Sequence, residues 1–385
     1  MSSSSQNLFE SIQVGDITLG NRVVMAPLTR FRATETHTPG PRAAEYYSQR
    51  AVAPGTLLIT EATFIGEKAG GYFGVPGIYS DEQILGWKKV VDAVHAKGSF
   101  IYLQMWALGR TADPAEIKRD NPNNEYTAAS NIPLAGIPLT GIPLTVHTGA
   151  RAMTMEEIQE FVALYATAAS NAVHKAGFDG VEIHSANGYL MDQFLQDVSN
   201  NRTDKYGGSV ENRSRFALEV TKAVVEAIGG KKTGLRLSPW SIFQDMGMSN
   251  PVPQFTHLIS TIRDLYPDFA YLHVLEPRVD GGTDRETVSV EQLKERDALH
   301  ALWAPKPLIS AGGYDREMGL DVAQKTGQLV AYGRLFISNP DLVRRLKENL
   351  PLAKGNRTTY YAPRDVTPMG YTDYPYAEYG ATAVL

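Results

Sequence analysis

The segment HSANGY, residues 184–189, joins an imidazole, a carboxamide and a phenol directly after the apolar residues 180–183. His184, neutral or charged, and the amide of Asn187 can both donate to one oxygen, and two donors aimed at a carbonyl stabilise negative charge that develops there. The phenol of Tyr189, with an ordinary pKa of about 10, keeps its proton at neutral pH and can act as a general acid. Together the three make a unit that polarises an electron-poor alkene and protonates the carbon next to the activating group. Taken singly, His184 reads better as a satisfied structural histidine at a strand end. Metal binding is not expected, because no second histidine or carboxylate stands at ligand spacing from His184 and Asn187.

Residues of other kinds surround this cluster in a strand-end pattern. Ser310-Ala-Gly312-Gly313 and Tyr332-Gly333-Arg334 are glycine-containing turns. Their backbone N–H groups can approach a phosphate closely, and Arg334 can pair with it; read alone, such glycines also satisfy ordinary turn geometry. No strand leads into a GxGxxG fingerprint, which argues against a Rossmann reading. Arg236 is either an ion-pair partner for a barrel carboxylate or a fixed positive charge beside a cofactor that becomes anionic on reduction, as a flavin does near N1. Gln104 and Thr29, polar groups ending apolar strands, can bind the edge of the same ring or cap local backbone.

The elements that must hold these residues are legible as repeating units. Eight short apolar runs, at 23–27, 57–62, 100–104, 180–184, 234–237, 269–275, 307–310 and 329–332, alternate with longer segments of helical period. Continuous apolar runs are what parallel strands buried on both faces look like. Thr154 with Glu157 forms a capping-box signature ahead of a helical pattern that Gly177 stops. Helices are also predicted over 81–97, 211–228, 290–302 and 341–350. The expected fold is therefore α/β: a single (β/α)8 TIM barrel filling residues 1–385, whose strand ends carry Thr29, Glu61, Gln104, His184, Arg236, Glu276, Gly312-Gly313 and Gly333-Arg334.

Three segments exceed a bare barrel. Residues 8–22, with turns at Gly15 and Gly20, suggest a hairpin capping the bottom. Residues 108–152, which contain the duplication GIPLT at 136–140 and 141–145, form a long insertion after the third strand, expected as a partial lid over the carboxyl face. Residues 354–385, rich in Tyr and Pro, are expected as an ordered tail, since aromatics are unfavourable to leave exposed.

Bulk composition narrows the chemistry. The 385 residues hold 37 Lys+Arg against 42 Asp+Glu, a net charge of -5 that offers no field for nucleic acid or an anionic membrane. With no cysteine, redox chemistry must come from a bound cofactor. The N-terminal MSSSSQNLFE is not a signal peptide, no run is long enough to cross a bilayer, and the final three residues are not a peroxisomal address. A cytoplasmic protein acting on small molecules is expected.

With those residues in place, the chain closely resembles the old yellow enzyme family of FMN-dependent ene-reductases along nearly its whole length. The most diagnostic stretch is HSANGYLMDQFLQDVSNNRTDKYGGSVENRSRF, residues 184–216, supported by VVMAPLTRFRA (23–33), ITEATFI (59–65), YLQMWALGR (102–110), GLRLSPW (234–240) and AYGRLFISNPDLV (331–343). The resemblance implies a tightly but non-covalently bound FMN. It implies flavin contacts from Pro27, Leu28 and Thr29, the last tuning the ring, and from Ala62 and Gln104. Arg236 is similar to the family's arginine at the pyrimidine edge, and Gly312, Gly313, Gly333 and Arg334 match its phosphate loops. His184 and Asn187 match the pair that binds the activating oxygen, and Tyr189 the proton donor. Tyr72, Trp106, Phe243 and Tyr361 resemble residues shaping the substrate pocket. His/Asn in place of His/His is a variation within the family, and the 108–152 insertion aligns poorly.

The resemblance thus implies a ping-pong cycle on one site, in which NADPH or NADH reduces FMN and an α,β-unsaturated carbonyl or nitro compound then takes its place. A reductase or isomerase dedicated to an unsaturated aldehyde of secondary metabolism would use the same residues. A barrel that merely binds a phosphorylated ligand, without a cofactor, is the alternative from another class. A monomer or homodimer is expected.

Overall fold

The computed structural model of the protein describes residues 7–135 and 149–378. Eight parallel strands close on themselves: β1 (Val23–Met25), β2 (Leu57–Ile59), β3 (Phe100–Trp106), β4 (Gly180–Ser185), β5 (Thr233–Leu237), β6 (Tyr271–Leu275), β7 (Leu308–Ala311) and β8 (Leu329–Tyr332). Each pairs with the next and β8 returns to β1, so no sheet edge is left among them. The connecting helices are α1 (Ala43–Arg50), α2 (Asp81–His95), α3 (Met155–Ser170), α4 (Val210–Ile228), α5 (Val252–Leu265), α6 (Val290–Trp303), α7 (Arg316–Thr326) and α8 (Leu342–Glu348). All eight apolar runs are strands, with ends shifted by a few residues.

Two shifts have a clear cause. The second run stops at Ile59 because the Thr60 hydroxyl accepts from the Gln104 N–H at 3.1 Å, where a strand carbonyl would otherwise stand. The chain bends there and rejoins β3 through Thr63–Phe64, opposite Met105 and Trp106. In the seventh, Pro307 has no N–H to give, and β7 begins one residue later.

The helices are anchored as their sequences specify. Thr154 and Glu157 form the reciprocal capping box of α3, and Ser80 with Gln83 and Ser289 with Gln292 do the same for α2 and α6. The helical path continues from α3 into a π-turn at Asn171–Ala176 and ends at Gly177, whose φ of 88° favours glycine. Ile158, Phe161, Tyr165 and Ala169 form the buried stripe of α3, while α4 buries Phe216, Val220 and Val224. Burying a side chain the size of Phe216 contributes roughly 1.5–3 kcal/mol.

Inside the barrel, side chains alternate by strand parity. At the amino end Tyr102 and Tyr271 fill the lumen with ring centroids 5.6 Å apart. Glycine at 180 and 234 makes room for them, since a Cβ at either would lie within about 2.5 Å of a tyrosine ring. Below, strands Ile12–Val14 and Ile17–Leu19 form the expected hairpin, and Val14 and Leu19 pack with Leu57 and Leu329 to close the bottom.

The inserted segment contributes a helix, Pro114–Asp120, and a short pairing of Thr127–Ala128 with Arg151–Ala152. Its duplicated GIPLT repeat lies outside the described residues. The described part of the tail is held by buried guanidinium groups that donate to its carbonyls. Arg30 reaches Tyr360 and Gly370, Arg32 reaches Asp365, Thr367 and Met369, and Arg345 reaches Pro375.

Candidate active site

The carboxyl ends of the strands open into a cavity of about 550 Å³, within the ~300–1,000 Å³ range of small-molecule sites. Pro27, Leu28 and Thr29 from the end of β1, Ala62 from β2, and Gln104 and Trp106 from β3 line it. His184, Asn187 and Tyr189 follow β4, Arg236 ends β5, and Phe243 stands in the next loop. Gly312, Gly313, Gly333 and Arg334 lie at the far end, with Tyr361 reaching in from the tail. Tyr72 is placed differently. It is buried behind the wall, edge-on to Trp106 at 5.8 Å and tilted against Phe31 at 6.2 Å.

The strand register explains why distant residues meet. Gln104 pairs with Glu182 across β3 and β4, and Arg236 lies opposite both His184 and His273. The turn after β4 then changes direction sharply: Asn187 has φ 58° and Gly188 φ 76°. Ser238 fixes this turn by accepting from the Asn187 N–H at 2.7 Å, and Asp192 accepts from the Gly188 N–H at 2.9 Å. A Cβ at Gly188 would stand 2.9 Å from Gln244 and Met246, so the loop after β5 can close only on a glycine. Gln244 completes the brace, donating from Nε2 to the Asn187 carbonyl at 2.8 Å.

Three rings assemble on this frame. Trp106 stacks on His184 (6.1 Å, 14°) and stands edge-on to Tyr189 (4.5 Å, 87°), while His184 and Tyr189 are 5.1 Å apart. Burial pushes the His184 pKa well below its ordinary value, and the positive Arg236 and neighbouring His273 push in the same direction. Its imidazole is therefore neutral, with one nitrogen a donor. Burial likewise raises the Tyr189 phenol far above 10, although the Gln244 amide and Arg236 act against the shift. The phenol holds its proton throughout the working pH range. Burial lowers the Arg236 pKa from its ordinary value, with Glu182 opposing, yet a guanidinium at neutral pH remains charged.

Several buried polar atoms around the cavity have no hydrogen-bond partner among the described residues: Trp106 Nε1, His184 Nδ1, Asn187 Oδ1, Arg236 Nε and Gln244 Oε1. Buried polar groups are almost always paired in folded proteins, so this concentration marks a site shaped for a polar, flat ligand. At the opposite end Gly312 (φ 153°) and Gly313 (φ 60°) turn the chain after β7. Arg334 there bonds Asp284 at 2.8 and 3.0 Å.

The sequence reading missed some of these parts. Glu182 and His273, both fully buried, lie one inward position deeper than His184 and Leu275. A charged or imidazole residue inside an apolar run was the available signal. Gln244 sits in an irregular loop, Asp284 in a two-residue strand pairing and Arg110 in a single 3-10 turn, all too short to carry a periodic signal. Arg110 Nη2 holds the loop after β5 by donating to the carbonyls of Gln244 (2.9 Å) and Asp245 (3.1 Å). Glu61 and Glu276, read as strand-end residues, face away from the cavity. Glu61 accepts from the Arg30 N–H, and Glu276 pairs with Arg296 at 3.0 Å.

A closed β/α barrel with a polar, aromatic-walled mouth, a buried cation and glycine turns at one end defines a cofactor-dependent oxidoreductase. The model for the NADH:flavin oxidoreductase / NADH oxidase family matches residues 7–353, and the chain belongs to that family. It is 48% identical over 375 residues to the chanoclavine-I aldehyde reductase fgaOx3 of Penicillium roqueforti, covering 96% of each chain. It is 47% identical over 379 residues to the NADP-dependent oxidoreductase lnbE of Aspergillus flavus, again covering 96% of each. The solved structure of the old yellow enzyme homologue from Zymomonas mobilis superposes with a TM-score of 0.86 at 37% identity, covering 96% of this chain and 99% of that one. The protein is thus an FMN-dependent NAD(P)H oxidoreductase of the old yellow enzyme type, reducing activated C=C bonds. The cofactor-free alternative is left without support.

The cavity fits FMN on its own chemistry. The buried cation Arg236 supplies donors, and Gln104 a polar amide, for the edge of a ring that gains negative charge on reduction. Apolar Ala26, Pro27, Leu28 and Ala62 supply its flat contacts, and glycine turns with Arg334 stand at the end suited to a phosphate.

Proposed function

We propose that His184 and Asn187 hold the activating oxygen of an α,β-unsaturated carbonyl or nitro compound and that Tyr189 protonates its α-carbon. The observation that carries this reading is the convergence on one cavity wall of a neutral imidazole, a carboxamide whose Oδ1 has no partner among the described residues, and a firmly protonated phenol. FMN held there would supply hydride-transfer chemistry between a nicotinamide nucleotide, NADPH or NADH, and the activated alkene. Two neutral donors at His184 and Asn187 stabilise negative charge on the substrate oxygen without leaving a buried positive charge when the site empties. Tyr189 transfers its proton as that charge collapses onto carbon, and solvent returns a proton to the phenolate. Pro27, Leu28, Thr29, Ala62, Gln104 and Arg236 seat the ring system, and Gly312, Gly313, Gly333 and Arg334 seat the phosphate. Trp106, Phe243 and Tyr361 flank a planar substrate, while Tyr72 acts by backing Trp106.

Rapid-mixing kinetics of the two half-reactions test the assignment. Tyr189→Phe slows reoxidation by an enone on the order of 10²–10⁴-fold, the usual range for a general acid, and leaves reduction by the nicotinamide nucleotide at the wild-type rate. Equal loss in both half-reactions would refute the role of Tyr189.

A second, narrower reading is favoured by the name of the relative fgaOx3, an aldehyde reductase: the physiological substrate is an unsaturated aldehyde of a dedicated biosynthetic route. Turnover of bulky polycyclic enals at least tenfold faster than cyclohexenone supports it; the reverse order removes it. No helix among the described residues is long and apolar enough to cross a membrane. We take the whole chain to work as one FMN-binding domain in the cytoplasm, as a monomer or homodimer. Light scattering of the holoprotein and fractionation of producing cells test these two points.

A further inference from the structure

Beneath the cavity floor the barrel encloses a polar layer that the proposed reaction does not use. Glu182 and His273 are fully buried. Glu182 shares its strand face with His184, two residues on, and so points inward one pleat deeper. Its two carboxylate oxygens are engaged separately: Oε1 accepts from Gln104 Nε2 at 2.7 Å, and Oε2 is 2.8 Å from His273 Nδ1. Burial disfavours the carboxylate, but the hydrogen bonds from His273 and Gln104 and the charge of Arg236 act against it, and the Glu182 pKa lies below its ordinary value. Burial also lowers the His273 pKa, so the pair is read as an anionic carboxylate beside a neutral imidazole. Arg236 lies near enough to act on Glu182 through the field without a direct ion pair.

We propose that Glu182 is a positioning residue for the flavin: it fixes which end of the Gln104 amide is free and offsets the charge of Arg236, thereby lowering the reduction potential of bound FMN. The proposal rests on the reading that Gln104 and Arg236 face the flavin ring. With Nε2 committed to the carboxylate, Gln104 keeps Oε1 as its acceptor end. With an anion buried behind it, Arg236 presents less net positive charge to a ring that becomes negative on reduction. A buried anion without strong hydrogen bonds would be destabilising, and here each oxygen has one.

Spectroelectrochemical titration of the holoprotein provides the test, with FMN affinity measured in parallel. Glu182→Gln keeps the shape and removes the charge. It raises the preference for reduced over oxidised FMN about tenfold, equivalent to about 30 mV for a two-electron couple. His273→Gln removes a neutral ring and leaves the potential at the wild-type value. An unchanged potential in Glu182→Gln, or equal shifts in both variants, overturns the proposal, since general loosening would move both. If Glu182→Gln yields no holoprotein, Glu182→Asp takes its place, with a rise smaller than tenfold expected and a fall overturning the idea. Arg236→Leu separates the underlying reading: unchanged potential and unchanged FMN affinity there would sink the flavin seat itself rather than the role of Glu182.

Discussion

Glu61 offers a quantitative check on the energetics of the barrel rim. It follows β2, is 4% exposed, accepts from the Arg30 N–H at 3.1 Å and donates its own N–H to the Tyr47 hydroxyl. Burial raises its pKa from 4.5 to about 7, against the pull of the Arg30 N–H and guanidinium. The unfolded chain ionises first, so below about pH 4.5 the folded state bears no penalty from this group. Between there and pH 7 the penalty grows, and above pH 7 it levels off at about 3 kcal/mol. Glu61→Gln imitates the protonated acid and removes the penalty where it exists. The variant is therefore more stable than wild type by about 3 kcal/mol at pH 8.5 and by under about 1 kcal/mol at pH 5. For a chain of this length the larger figure corresponds to about 4 °C in melting temperature. Thermal melts at the two pH values, with FMN saturating so that cofactor binding contributes equally, read this directly. A gain that is the same at both pH values, or that is larger at pH 5, would show that Glu61 does not titrate as its surroundings dictate.

Two further substitutions probe the loops around the cavity. Gln244→Leu removes the amide that braces Asn187, a hydrogen bond worth about 1 kcal/mol; kcat/KM for an enone falls roughly fivefold with FMN affinity unchanged, and an equal loss of FMN affinity would place Gln244 in the cofactor seat instead. Asp284→Ala frees Arg334 from its ion pair; titration of the apoprotein then shows tighter FMN binding, most clearly at low salt, and weaker binding would mean that Asp284 itself helps seat the cofactor.

The barrel was legible because its strands are buried on both faces and its helices carry their own stop and start signals. Thr154 and Glu157 act three residues apart, and Gly177 acts on the turn directly before it, so a linear reading captures them. The tail is different: Arg30, Arg32 and Arg50 look like ordinary surface cations in sequence. Their partners include carbonyls more than 280 positions away, at Phe336 and Ile337 ahead of the tail and at Tyr360, Asp365 and Gly370 within it. Only the closed barrel, which brings β1 beside β8, puts them in reach. The tail's aromatics are packed, with Tyr371 stacked on Tyr46 at 4.3 Å, and buried guanidinium groups add hydrogen bonds to its carbonyls that no aromatic pattern announces.

The same geometry accounts for which site residues were found. His184, Gln104 and Arg236 stand at strand ends, where an apolar run gives way to polar residues, and the cavity begins there. Glu182 lies inside its run, where a reading that treats the strand as uniformly apolar passes over it. Strand parity corrects this: a residue two positions before a site residue shares its face and must point into the lumen beneath the site. Applied to β4, parity places a carboxylate under the imidazole. Applied to β6, it places His273 below Leu275, and the register between β5 and β6 then sets that imidazole beside Arg236. A charge buried so deeply is unfavourable unless it is paired, so Glu182, Gln104 and His273 had to occur together. The polar layer under the cavity was thus written in three separate strands and becomes visible only when their register is known.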